Sequence, residues 1–467
     1  MNAKKLLALL LAVVMVIGVF AGCDKTETPD PTKGTEGTTA PVATPATYTY
    51  NYSMSEFPTN WNYHTYQTDI DATILDYITS SFYVFDYYET MDGYAFVNGM
   101  ASGEPIDVTA DYVGQYGIEE GDTAKAYIIP LREDLKWEDG TPITAHDFVE
   151  SAKRLLDPAA QNYRADTMYS GAVKIHNAEN FLKQGQTINV PSDSVHTTYS
   201  EDQDAQLIFS LAPPTDGNGE ISMRVSMGFP ASYDAAACAN YLISNDLADS
   251  AFTAEAAAAM EGKTLAEIKA DETLKAAWEA LIGWWQTEPN EELDFFLMEN
   301  TYPELSWDDV GMLATADNEL VLVLDKPLSG FYLYYSLTSS WLVNVELYDS
   351  LTSVVDGVYT NTYGTSVETT MSYGPFVLTS FQADKQYTFE RNDLYYDMGE
   401  GVYQTTNWVV DYVPEPATKL ELFQQGKLDV YGLSAEDMEK WFDDIIKNSE
   451  FEAKNMKYVK GDMILGM

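Results

Sequence analysis

The chain has 467 residues, with 26 Lys+Arg against 73 Asp+Glu and a formal net charge of −47. At 45% hydrophobic residues it carries too much apolar surface for a disordered acidic tail, and its length fits two or three domains or one large lobed unit. The charge excludes nucleic acid and anionic membrane surfaces as main partners, because phosphate binding needs clustered Lys and Arg.

At the N-terminus, Lys4 and Lys5 precede an apolar run from Leu6 to Phe20, followed by Ala21, Gly22 and Cys23. A basic start, a short apolar stretch and small residues read as a secretory signal peptide over 1–22, too short for a comfortable membrane span. Cys23 after Ala-Gly resembles the bacterial lipobox, whose cysteine is lipidated; the alternative is an ordinary signal peptide with an incidental Cys. Asp24 to Thr47 holds eight Thr, four Pro and no aromatic residue, so residues 23–47 are expected to form a disordered tether. With Cys23 lipidated, Cys238 has no disulfide partner and is expected to be a buried thiol.

The folded part starts with a strand predicted near Tyr48–Tyr52, a loop through Phe57–Tyr66 and a helix from about Asp69 to Ser80. Tyr127-Ile-Ile-Pro-Leu131 reads as a strand, and Lys136-Trp-Glu-Asp-Gly140 as a turn in which Asp-Gly supplies the positive φ. Thr144 reads as an N-cap with Asp147 three residues on, ahead of a helix face at Phe148, Val149, Ala152, Leu155 and Leu156. Asp157-Pro158 ends that helix.

The stretch from Pro130 through Lys136-Trp-Glu-Asp-Gly140 to Pro158 resembles the characteristic block of the family 5 extracellular solute-binding proteins. These are oligopeptide- and dipeptide-binding lipoproteins that serve ABC importers. Three further blocks follow in that family's order. Leu320 to Leu328 resembles its strand before a Pro-containing loop, Tyr363 to Phe376 its Asn-Gly-Pro-Tyr segment, and Ala417 to Val430 its helix, glycine stop and following strand. The resemblance implies an α/β, periplasmic-binding-protein-like fold (type II, cluster C), of which the chain holds the first lobe over 48–186 and 306–435. A helical insertion is expected over 187–305, with helices near Phe252–Met260 and Leu274–Trp285. There Trp284, Trp285, Phe295 and Phe296 are expected to pack against the main lobe. Residues 436–467 read as the start of the crossing into a second lobe that is largely missing, through either a cut gene or a natural one-lobe form.

The same resemblance implies an oligopeptide ligand, ABC permease subunits as partners, a monomer lipid-anchored outside the cytoplasmic membrane, no catalysis and no cofactor. With the second lobe absent it implies weak or no peptide binding. Candidate ligand-facing residues are Phe57, Trp61 and Asn62, the Ser80-Ser81 turn with Ser81 in place of the family's glycine, and Ser372, Tyr373 and Gly374. The last group would offer a backbone approach that needs no Cβ. An oligosaccharide-binding lipoprotein is the alternative, and an extracellular hydrolase a third reading. His64, His146, His176 and His196 show no helical zinc spacing, and no nucleotide-binding glycine pattern occurs. Asp69 and Asp71 could ligate calcium but also suit a helix N-terminus.

Overall fold

The computed structural model describes residues 47–87, 93–191, 204–211, 232–285, 296–399 and 403–432. The expectations for 1–46, His196, Phe295 and 433–467, and for the side chains of Trp284 and Trp285, lie outside the described residues. In chain order, β1 (Thr49–Met54) leads to α1 (Asp69–Ile78), then β2 (Tyr83–Tyr87), β3 (Tyr94–Asn98), β4 (Ile106–Asp107) and β5 (Ala126–Pro130). Next come α2 (Ala145–Leu155), α3 (Ala178–Lys183), β6 (Thr187–Pro191) and β7 (Leu207–Phe209), followed by α4 (Ala235–Ser244) and α5 (Ala254–Met260). After α6 (Leu265–Ala270), α7 (Glu272–Trp285) and β8 (Phe296–Thr301), the chain forms β9 (Met312–Ala316), β10 (Glu319–Val323), α8 (Phe331–Ser336) and α9 (Val345–Ser350). It finishes with β11 (Thr352–Val355), β12 (Val358–Asn361), β13 (Phe376–Gln382), β14 (Gln386–Arg391), β15 (Asn407–Tyr412) and α10 (Pro416–Gln424).

Two four-stranded sheets carry the main lobe. One has the order β1-β15-β14-β13, with β1 parallel to β15, and buries Ile74, Leu75 and Ile78 of α1 against Phe376, Phe389 and Val410. The other has the order β4-β5-β10-β9 and is antiparallel, with Leu320 opposite Ile129 and Leu322 opposite Tyr127. Its covering helix is α2, whose Phe148, Ala152 and Leu155 recur at helical spacing and are buried with Ile129 and Leu322. Both helices start where sequence logic puts them. Thr68 Oγ1 accepts from Asp71 N–H at 3.1 Å, and Asp147 Oδ2 accepts from Thr144 N–H at 2.7 Å. Gly140 takes φ +89° in the expected turn.

The fourth block departs from its expected form. The helix and the positive-φ Gly426 are present, but among the described residues after it, 427–432, no strand forms. Instead Asp429 N–H donates to Asn51 O at 2.9 Å, and Asp429 Oδ2 accepts from Asn51 N–H at 2.6 Å. The carboxylate thus occupies the place of a second ladder bond beside β1.

Between 187 and 305 the expected helices form, and beyond them a three-stranded antiparallel sheet of order β6-β8-β7. Thr187 pairs with Thr301, so the insertion leaves and re-enters the lobe through adjacent strands and closes on itself. Its core is its own. Phe296, expected against the main lobe, is buried with Phe209 and Trp278, at ring distances of 6.2 and 5.2 Å. Cys238 is buried in the same cluster. The Ala-rich helices dominate this segment's composition and mask the short strands β6 and β8 at its ends. Among the described residues, no helix is long and apolar enough to cross a membrane.

Candidate functional site

The loop between β1 and α1 divides at Asn62. Before it, side chains turn inward. Phe57 packs edge-on against Tyr387 and Tyr412, at 4.9 and 5.3 Å. Trp61 is 1% exposed, lies 4.9 Å from the Phe381 ring and donates its indole N–H to Thr370 Oγ1 at 2.8 Å. Asn62 is buried, and its carbonyl accepts from the N–H groups of Thr65 and Tyr66 while its Oδ1 accepts from His64 N–H. None of the three lines the two cavities described next; Phe57 and Trp61 pack into the lobe's core, and the polar atoms of Trp61 and Asn62 are engaged within the protein.

After Asn62 the loop faces a cavity. Tyr63 and Tyr66 line a cavity of about 310 Å³ with Ser80, Ser81, Asp76 and Ser339. An adjoining cavity of about 270 Å³ shares Tyr63, Ser339 and Ser340 and adds Arg164, Thr167 and Ser170 over a floor of Leu322 and Trp341. Either volume is near the lower end of small-ligand sites, roughly 300–1,000 Å³. Burial raises the phenol pKa of both tyrosines, and Arg164 acts in the opposite direction on each. Both therefore remain neutral donors and acceptors at ordinary pH.

His64 fastens this stretch from behind. It is fully buried, with Nε2 2.9 Å from the Trp341 carbonyl, and burial lowers its pKa to about 4 against a smaller opposing effect of that hydrogen bond. The neutral ring donates from Nε2 and leaves Nδ1 enclosed without a partner among the described residues. Arg164 N–H donates to His64 O, joining the loop to the chain after α2.

The Ser80-Ser81 turn follows the end of α1. Ser80 Oγ shares hydrogen bonds with the hydroxyls of Tyr396 (2.8 Å) and Tyr395 (3.3 Å), and Ser81 Oγ donates to Tyr83 O. The Ser372-Tyr373-Gly374 segment lies behind this turn. The N–H groups of Tyr373 and Gly374 both donate to Ile78 O, capping α1, and Ser372 Oγ is fully buried and donates to Phe376 O. A Cβ on Gly374 would fall 2.5 Å from the backbone of Ile78 and Thr79. The close approach expected of Gly374 is thus made to the protein's own helix end. Glu138 reinforces it, with its Oε2 accepting from Ser372 N–H and its own N–H donating to Ser372 O.

The calcium alternative at Asp69 and Asp71 gives way to local bonding. Burial would raise the Asp71 carboxyl, but hydrogen bonds from the N–H groups of Thr59 and Asn60 and the hydroxyls of Thr68 and Thr59 outweigh it and hold the pKa below the usual range. Of the residues expected to face a ligand, the structure brings Ser80 and Ser81 to a cavity and places Phe57, Trp61, Asn62, Ser372, Tyr373 and Gly374 in packing roles. Tyr63, Tyr66, Arg164 and Ser339, which are not among the expected residues, line these cavities as well. For the tyrosines the available signal was the same aromatic loop, continued one residue beyond Asn62.

Comparison with known proteins agrees with the four sequence blocks. Residues 96–461 match the family described as bacterial extracellular solute-binding proteins, family 5 Middle. The periplasmic oligopeptide-binding protein OppA of Salmonella typhimurium is 39% identical over 74 residues, 16% of this chain and 14% of that protein. The dipeptide-binding protein of Lactococcus lactis subsp. cremoris is 29% identical over 137 residues, 28% of this chain and 23% of that protein. Listeria monocytogenes OppA bound to peptide aligns with a TM-score of 0.46 and 16% identity, over 86% of this chain and 49% of that one. The chain thus spans about half the length of that solved structure, and its matches cover under a quarter of either curated relative. Matched over most of its length, the chain belongs to the family 5 bacterial extracellular solute-binding proteins.

Proposed function

We propose that the chain is the substrate-binding lipoprotein of an ABC importer, capturing oligopeptides outside the cell and performing no catalysis itself. The observation that carries the reading is the cavity between the Tyr63–Tyr66 stretch and the Ser80-Ser81 turn, with a second cavity that shares Tyr63, Ser339 and Ser340, in a chain of this family. Their walls combine aromatic faces with serine and threonine hydroxyls, a lining that satisfies main-chain polar groups through direct or water-mediated bonds without selecting one side chain. Ser80 and Ser81 are retained as ligand-facing residues, joined by Tyr63, Tyr66 and Ser339. Hinge closure over the peptide would present the loaded protein to permease subunits. Lipidation at Cys23 and the 23–47 tether would hold a monomer at the outer face of the cytoplasmic membrane.

Tyrosine walls also suit sugar rings, so oligosaccharide is the second reading. Saturation-transfer NMR on the full chain separates the two. The proposal expects transfer to peptides of three to five residues and none to linear oligosaccharides of similar size. Transfer to the sugars alone would overturn it.

A further inference from the structure

His64 differs from the other described histidines. His146 and His176 lie beside carboxylates, 3.6 Å from Asp317 and 2.8 Å from Asp325, whereas His64 has no carboxylate within 4.0 Å among the described residues. It lines neither cavity but joins a wall to a floor. Its chain neighbour Tyr63 walls both cavities, and its Nε2 donates to the carbonyl of Trp341, which floors the second. Trp341 is itself fixed, because its indole N–H donates to Phe148 O at 2.8 Å and its ring packs 5.4 Å from that of Phe82. The N–H of Arg164 donates to His64 O as a second tie. The titratable and charged residues around the ring are Tyr348 of α9, at a ring distance of 5.1 Å, Tyr63 beside it in the chain, and Arg164 after α2.

We infer that His64 is a positioning residue for the cavities and a proton-operated latch: the neutral ring holds the Tyr63–Tyr66 wall against Trp341, and a proton on Nδ1 releases that wall and the ligand with it. A charged ring needs a second acceptor, for Nδ1–H, and the described residues around it offer none. The charged form is therefore favoured only once the ring has left its enclosure for water. Burial lowers the pKa of the enclosed ring to about 4, against about 6.5 for a ring in water, so acid favours the released form. Each pH unit below about 6.5 shifts the balance towards release by about tenfold, until pH 4 is reached. The inference rests on the peptide reading above for its ligand, but the latch is a property of the ligand-free chain as well.

Two measurements on the unaltered 467-residue chain test the latch, each at pH 7 and pH 5. The first is a saturation-transfer NMR titration with alanine peptides of three to five residues, whose carboxylate stays ionised over this range. Their affinity is expected to be about tenfold weaker at pH 5. The second is hydrogen exchange without ligand, corrected for the intrinsic pH dependence of exchange. The amides of Thr65, Tyr66 and Arg164, which donate within this loop and to it, should lose protection at pH 5 while those of α2 keep theirs. His64→Gln, whose side-chain amide can still donate to Trp341 O but takes up no proton, is expected to match the unaltered chain at pH 7 and to lose both pH effects. In a chain that binds the peptides, absence of either effect, or its survival in His64→Gln, would overturn the latch and leave the peptide reading standing. Peptides bound at neither pH would overturn the peptide reading, and the exchange would still decide the latch.

Discussion

The two halves of the loop from Phe57 to Tyr66 are made of the same residue types and do different work. Phe57 and Trp61 fill the space between α1 and the β13–β15 strands, whereas Tyr63 and Tyr66, a few residues on, wall a cavity. Aromatic content therefore marks the loop as important but does not say which side faces a ligand. The deciding contacts come from far along the chain. Thr370 holds the Trp61 indole, Trp341 holds His64, and Arg164 rests on Tyr66.

The strongest way to break this contrast is Trp61→Ala. It removes a buried side chain and the indole hydrogen bond to Thr370 Oγ1, and is expected to cost about 3–5 kcal/mol in urea unfolding. Ligand preference should be unchanged in whatever fraction stays folded. A loss well below that range would mean the first half of the loop is not core.

Acid should loosen the seam between the halves. His64 has a folded pKa of about 4 against an ordinary value near 6.5, so the unfolded state takes up the proton first. Its stabilising contribution is complete above about pH 6.5, is lost as pH falls towards 4, and amounts to about 3 kcal/mol over that window. Thermal melts across this range should show the loss, and His64→Gln should flatten the profile. A variant with an unchanged slope would show that other groups carry the acid sensitivity.

Gly374→Ala probes the helix-end contact, expected here to be structural. The added Cβ meets backbone at 2.5 Å, so a cost of about 1–3 kcal/mol is expected, with no shift in ligand preference. A stable variant with altered preference would return Gly374 to the site. Tyr66→Leu should change stability least, by under about 1.5 kcal/mol, while weakening peptide binding through loss of an aromatic wall of the cavity. Strong destabilisation with unchanged binding would erase the distinction between the two halves.

Local elements were readable because their causes are local. The strand at Thr49–Met54, the helix capped by Thr68, and the turn and helix from Lys136 to Leu155 follow from turn chemistry, caps and periodicity within a dozen residues. The sheet inside the insertion was hidden because β6 and β8 are short and more than a hundred residues apart. Ser80 and Ser81, which line a cavity, were singled out through the resemblance of their turn. The place of Arg164 and Ser339 was not legible because each is remote in sequence from the loop it joins and no periodicity links them. The inward packing of the first half of the loop was not legible because burial of Trp61 depends on Phe381 and Thr370, over 300 residues away.

The central claim, a chain that binds peptides, is tested most directly by offering the purified chain a mixed pool of short peptides and linear oligosaccharides in saturation-transfer NMR, which registers weak complexes. Transfer to the peptides is the predicted result. Transfer to the oligosaccharides alone would contradict the account.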